Sequence, residues 1–362
     1  MPNLHIVADP PMTRRLVELG AFAEAPLVVV DVGARGGIES FWKVFGGDVR
    51  IVGFEPDAQE CERLRASAPA NTIYLPLALG AKPGKQMLHV ARFSAASSFY
   101  PNDDAWCRRF DVGDSLTVES RVEVSTTTLR EALAGRQVDF LKLDVEGAEL
   151  DVLHGADLGG VLGLVAEVRF THRMSHCPTF ADLDQFCRAQ GFDLYDLDLY
   201  RYSRAALPYP YLYDYRDQAD APVTGPTVQG QPLTGDALYF RDGLDTREPV
   251  KLACLFELFG LSDCAAEVVD AHRRRFERWA KADELLDLLV PEVKGEKLAF
   301  REHRARHAQG DRHFRPTPGM RIPDPIVSHY DGVFTPSWTP PPPAPPLGLC
   351  ERLRRWLLGT KS

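Results

Sequence analysis

A carboxylate at the end of a buried strand is costly unless it meets a cation, a proton or a hydroxyl. The segment DFLKLDVEGAE, residues 139–149, sets two such groups there, Asp144 and Glu146. Strand alternation puts Lys142 and Asp144 on one face and Leu141 and Leu143 on the other, so a Lys142–Asp144 pair is the plain structural alternative. Chemically, paired strand-end carboxylates can take a proton from a hydroxyl or hold a divalent metal. Glu167 follows in LGLVAEVRF (162–170), with His172 and His176 just beyond it. His172 is the second candidate base. No His-rich set accompanies the acids, so no metal ligand is assigned.

A second constellation lies upstream, where LVVVDVGARGG holds Asp31, Gly33, Ala34, Arg35 and Gly37. Glycine at 33 and 37 lets a strand-to-helix turn pass close to a ligand. The GxGxxG dinucleotide fingerprint would need glycine at 35 and 38, where Arg35 and Ile38 stand, so an NAD or nucleotide-sugar enzyme is disfavoured. The remaining D-x-G-x-x-x-G is the first loop common to S-adenosylmethionine-dependent methyltransferases. Glu55, closing RIVGFEP (50–56), stands where an acid accepts both ribose hydroxyls of a nucleoside cofactor. Leu79 and Gly80 of LALG are placed to line an adenine pocket.

These residues need strands to carry them. Apolar runs at 27–33, 50–56, 72–80, 139–147 and 162–170 read as strands, most of them buried on both faces, and 191–203 and 236–242 as two more. Pro56–Ala68 and Glu149–Gly155 have helical periodicity, giving an open α/β sheet whose ligands gather at the carboxyl ends of the strands. A lead-in of residues 1–25 holds a short helix around Thr13–Phe22. Residues 26–245 form the enzyme domain, and 246–310 a helical extension with helices over Leu252–Val269 and His272–Val290. The second of these bears Arg273, Arg274, Arg275 and Arg278. Residues 311–346 hold 11 of the 28 prolines, a stiff linker. Residues 347–362 return to a basic amphipathic helix, which suits an anionic membrane surface and equally a partner or the chain's own body.

With 362 residues and 44% hydrophobic side chains the chain can bury a large core. Its net charge of −9 leaves nothing global to attract phosphates, so no nucleic-acid partner is expected. Seven scattered cysteines without a CxxC pair, and no basic-then-apolar leader, point to the cytoplasm, peripheral at the inner membrane face if the tail docks there.

In sum of its motifs, the chain resembles the FkbM family of methyltransferases. DVGARGG, GFEP, LALG, Ser97-Ser98, VSTTTL (124–129), KLDVEGAEL, LVAEVRF and DALYFRD occur in order over residues 26–242. Many relatives read closer to DVGANxG where this chain has Arg35 and Gly36. The resemblance implies a Rossmann-like seven-stranded methyltransferase sheet, mostly parallel with its last strand antiparallel. It also implies S-adenosyl-L-methionine as cofactor and O-methylation of a sugar, glycan, glycolipid or similar metabolite hydroxyl. On that view Asp31, Gly33, Ala34, Arg35, Gly37, Glu55, Leu79, Gly80 and Asp144 bind the cofactor, and Asp144, Glu146 and His172 serve transfer. The contrasting reading is a non-catalytic, methyltransferase-like scaffold that binds partners through 246–362.

Overall fold

The structure, a computed structural model, describes residues 4–212, 215–216, 222–223, 225–292 and 297–309. The expected linker and terminal helix, 311–362, lie outside the described residues.

Among the described residues twelve strands follow in chain order: β1 Leu27–Val32, β2 Val49–Phe54, β3 Thr72–Leu75, β4 Ala78–Leu79, β5 Gly84–Ala91, β6 Val118–Thr127, β7 Phe140–Leu143, β8 Gly163–Arg169, β9 Asp193–Tyr202, β10 Tyr215–Arg216, β11 Pro222–Val223 and β12 Gln231–Phe240. Seven of them form the central sheet in the order β3-β2-β1-β7-β8-β12-β9. β12 runs antiparallel to both of its neighbours, and the other pairings are parallel. This is the mostly parallel seven-stranded sheet expected, with its last strand reversed.

Alternation along the buried strands feeds two cores. Val30, Val32, Leu141, Leu143, Leu164 and Ala166 face the helices Leu129–Leu133, Glu149–His154 and Phe180–Ala189. Leu27, Val29, Phe140, Val165, Leu238 and Phe240 face the other way. That second core is covered by helix Pro11–Glu18 and by the helices between Pro249 and Leu289. Helix Pro249–Leu258 is buried along nearly its whole length, from Leu252 to Leu258 without a break. It is core material, and it offers no free face to a partner.

Three local readings change. The run 72–80 divides at Pro76, which has no N–H to donate to a ladder; β3 edges the main sheet while β4 joins β6 and β5 in a separate sheet. Leu252–Val269 breaks into Pro249–Leu258 and Ser262–Ala271 at Gly260, whose φ of +73° ends a helix. His272–Val290 likewise divides, into Arg273–Phe276 and Ala282–Leu289.

Candidate active site

Each central strand turns polar at its carboxyl end on the face that carries the second core. Asp31 follows Val29 on β1, Lys142 and Asp144 follow Phe140 on and after β7, and Glu167 follows Val165 on β8. Register places Asp31 opposite Lys142 and Glu167 opposite Asp236 of β12, with Asp198 of β9 beyond it. Asp144 comes one step after the Leu143–Ala166 pair, beside Glu167.

Lys142 is buried and its partner is Asp31, at 3.0 Å; Asp144 is farther off at 3.7 Å. The Lys142–Asp144 pair suggested by the alternation is therefore the weaker of two contacts. Burial works against the ammonium, but the charges of Asp31 and Asp144 outweigh it and hold the lysine pKa above its ordinary value. Burial pushes Asp31 up to about 6, against the pull of Lys142. With Lys142 committed to Asp31, Asp144 keeps a side chain 42% exposed. Of the strand-end acids it is the one open to an acceptor.

The turn after β7 is tightly specified. Glu146 adopts φ +54° and Gly147 φ +113°, left-handed geometry that costs a non-glycine residue on the order of 1–3 kcal/mol. Glu149 holds the turn by accepting from the Val145 and Gly147 amides at 3.0 and 3.1 Å. Ser98 donates to the Glu146 carbonyl. Behind the turn lies Arg169, which donates to Glu146 at 3.0 Å, Glu149 at 3.1 Å and Glu167 at 2.8 Å. Arg173 adds a 3.6 Å ion pair to Glu146. Burial raises the pKa of both Glu146 and Glu167, and Arg169 opposes it in each. Oxygens of Asp144, Glu146 and Glu167 come within 4.8 Å of one another. The cation shared by the two glutamates is the guanidinium of Arg169.

The loop after β1 forms the neighbouring cradle. Gly33 has φ +87°, and a side chain there would run into the backbone of Asp144. Its amide and that of Ala34 both donate to the Phe54 carbonyl at 3.0 Å, tying the loop to the end of β2. Glu55 is buried and accepts from the Asp57 amide at 2.9 Å. Burial raises its pKa, while the Asp57 amide and Arg35 lower it. Arg35 lies 3.8 Å from Glu55 and 2.8 Å from Asp57, so it caps the mouth of this acid. Leu79 and Gly80 are buried at the crossing to the second sheet, where the Gly80 amide donates to Thr127.

The structure thus gathers Asp31, Gly33 and Asp144 with Glu146 and Glu167, and sets Ala34, Arg35, Gly37 and Glu55 along the adjoining loop. His172 and His176 stand exposed on the connection after β8. His172 makes itself felt at Asp182, in the first turn of helix Phe180–Ala189, rather than at the carboxylates. Arg169 and Arg173 were not singled out from sequence, although the Glu167-x-Arg169 spacing puts both side chains on one face of β8.

Residues 31–194 match the family model described as the methyltransferase FkbM domain. Among solved structures the chain is similar to magnesium protoporphyrin IX methyltransferase (ChlM) from Synechocystis PCC 6803 with bound SAM, at 10% identity over 65% of this chain and 80% of that one, with a TM-score of 0.27. It is similar to the Burkholderia thailandensis 1,6-didemethyltoxoflavin-N1-methyltransferase at 13% identity, 64% and 79% coverage and TM-score 0.27. The C-terminal domain of precorrin-6Y C5,15-methyltransferase from Rhodobacter capsulatus matches at 12% identity, 63% and 88% coverage and TM-score 0.27. No curated protein matches the chain.

Proposed function

We propose that the chain, whose residues 31–194 match the methyltransferase FkbM domain, is an S-adenosylmethionine-dependent methyltransferase that acts on a hydroxyl of a sugar, glycan or glycolipid. The observation that carries this reading is the convergence of Asp144, Glu146 and Glu167 beside the Gly33 cradle. Bound there, the cofactor would supply an electrophilic methyl group on a sulfonium.

The residues present fit that group. The missing side chain at Gly33 lets the Asp144 backbone pack directly against the loop, which brings the loop and the strand-end acids together. Glu55 offers a carboxylate for the ribose diol once Arg35 swings aside toward Asp57, its closer partner. Gly37 and Ala34 keep the loop close to the strand ends. On the acceptor side Asp144 takes the hydroxyl proton, being half-buried with an accessible carboxylate and free of a short ion pair. Glu146 and Glu167 are held by Arg169, and they orient neighbouring hydroxyls rather than exchange protons. His172 serves as the rim base only if the acceptor reaches that far.

No described helix is long and apolar enough to cross a membrane, and peripheral contact through residues 347–362 rests on their sequence alone. The test is an acceptor screen: purified chain, S-adenosylmethionine, and panels of free sugars, glycans and glycolipids followed by mass spectrometry. Gain of one CH2 on a hydroxyl is the expected result. Transfer confined to amines or thiols would overturn the hydroxyl reading.

A further inference from the structure

Arg169 heads the fully buried side chains by size and is 2% exposed. Burying a guanidinium is expensive unless its donors are met by well-placed charge. Here the two terminal nitrogens meet carboxylates from three elements, Glu167 on β8, Glu146 in the turn after β7 and Glu149 in the first turn of helix Glu149–His154, while the buried Nε has no partner among the described residues. Glu149 is in turn the group that fixes the Val145 and Gly147 amides. A single side chain on β8 therefore braces the turn that follows β7. The far side of that turn is the Asp144 backbone, packed on Gly33 of the cofactor loop.

We propose that Arg169 is the positioning residue of the transfer, bridging Glu146, Glu149 and Glu167 so that the 144–147 turn keeps Asp144 and the Gly33 loop in working register. The aim at the acceptor rests on Asp144 being its base; the bracing of the cofactor loop does not. Arg169 touches neither reactant and acts through the turn. The charged and titratable groups around it are Asp144, Glu146 and Glu149 from the turn and its helix, Glu167 on its own strand, and Arg173 and Cys177 from the following connection. Tyr202 of β9 also faces Glu167, Arg173 and Glu146. Of the groups that face Glu146 and Glu167, Arg169 and Arg173 carry the positive charge, with Lys142 reaching Asp144 from the other side. Without Arg169, burial and mutual repulsion push the carboxyls of Glu146 and Glu167 further up, and the turn loses its anchor.

The experiment titrates S-adenosylmethionine into the full chain by calorimetry across pH, for wild type, Arg169→Met and Arg169→Lys, with circular dichroism to confirm folding. Arg169→Met is expected to weaken binding about tenfold, the loss of one charge-assisted contact, and to move the acid limb of the affinity profile to higher pH. Arg169→Lys restores charge without the fork and is expected to return the limb toward its wild-type position with partial affinity. A folded Arg169→Met with wild-type affinity and an unmoved limb overturns the proposal. If that variant does not fold, Glu149→Ala decides, since it removes the acceptor of the Val145 and Gly147 amides while Arg169 keeps Glu146 and Glu167. Weakened binding supports the brace, and unchanged binding rejects it. Because the readout is cofactor affinity, failure here is distinct from failure of Asp144 as the base.

Discussion

Gly33 and Asp144 touch through their backbones: a Cβ on Gly33 would stand 1.9 Å from the Asp144 carbonyl oxygen. The Asp144 amide donates to the Val32 carbonyl at 2.9 Å, so the two turns are stitched as well as packed. Gly33→Ala must move one turn off the other and also hold φ at +87°. The backbone cost alone is about 1–3 kcal/mol. A lower melting temperature together with a loss of S-adenosylmethionine affinity is expected. An alanine variant that binds the cofactor normally would show that the contact does not shape the cradle.

Glu55→Ala removes the acid assigned to the ribose diol. Loss of a charged acceptor from a bound ligand costs about 1.5–3 kcal/mol, which titration calorimetry reads directly. Because Arg35 also pairs with Asp57, the fold should survive the change. Unaltered affinity would remove Glu55 from the cofactor site.

Asp144→Asn is nearly isosteric and leaves the Lys142–Asp31 pair intact. It is expected to cut turnover on an acceptor found in the screen by 100-fold or so, the usual scale for a lost general base, with little change in melting temperature. A chelator is expected to leave wild-type turnover unchanged, since Arg169 already supplies the positive charge between Glu146 and Glu167. Activity lost to chelator and restored by magnesium would reassign the carboxylates to a metal.

Much of this was legible and some was not, for identifiable reasons. β1, β2, β7 and β8 announce themselves because strands buried on both faces must be apolar until they reach the ligand edge. β5 and β6 gave no such signal: VESRVEVSTT is mostly exposed in β6, so solvent and not a core selects its residues. The lysine's choice of Asp31 over Asp144 depends on which strand lies beside β7, information that no single strand carries. Arg169 carries no mark in the sequence because a charged residue near a strand end reads as solvated, whereas here three carboxylates from separate segments close over it.

Stability should depend on pH with two opposed signs. Asp31 sits at about 6 in the fold against 3.8 unperturbed. Its contribution is therefore fullest below about pH 4 and is lost as pH rises through about 6. Glu60, hydrogen-bonded by Arg63, is held at about 2 against 4.5. Its contribution stands above 4.5 and is lost as pH falls toward 2. Melting temperature should thus rise slightly on acidification from about pH 7 to 5, then fall below about pH 4. Asp31→Asn should shrink the rise, leaving the part that buried Asp236, also raised to about 6, supplies. A flat profile in wild type would contradict the assignment of Asp31.

Deleting 347–362 should abolish sedimentation with anionic liposomes at low salt, where attraction is strongest, without lowering turnover on a soluble acceptor. If the intact chain ignores such liposomes, the amphipathic pattern of Leu353, Trp356 and Leu357 serves protein contact instead.

Helix Pro11–Glu18 has no capping side chain of its own. Its first-turn amides, Met12 and Thr13, are met by the buried carboxylate of Glu257 at 2.9 and 2.6 Å, about 245 residues downstream. That helix therefore takes its first-turn partner from helix Pro249–Leu258, across the second core. Expression of residues 1–245 alone, without Glu257 and the helices that cover the second core, should therefore yield aggregate rather than a smaller working enzyme.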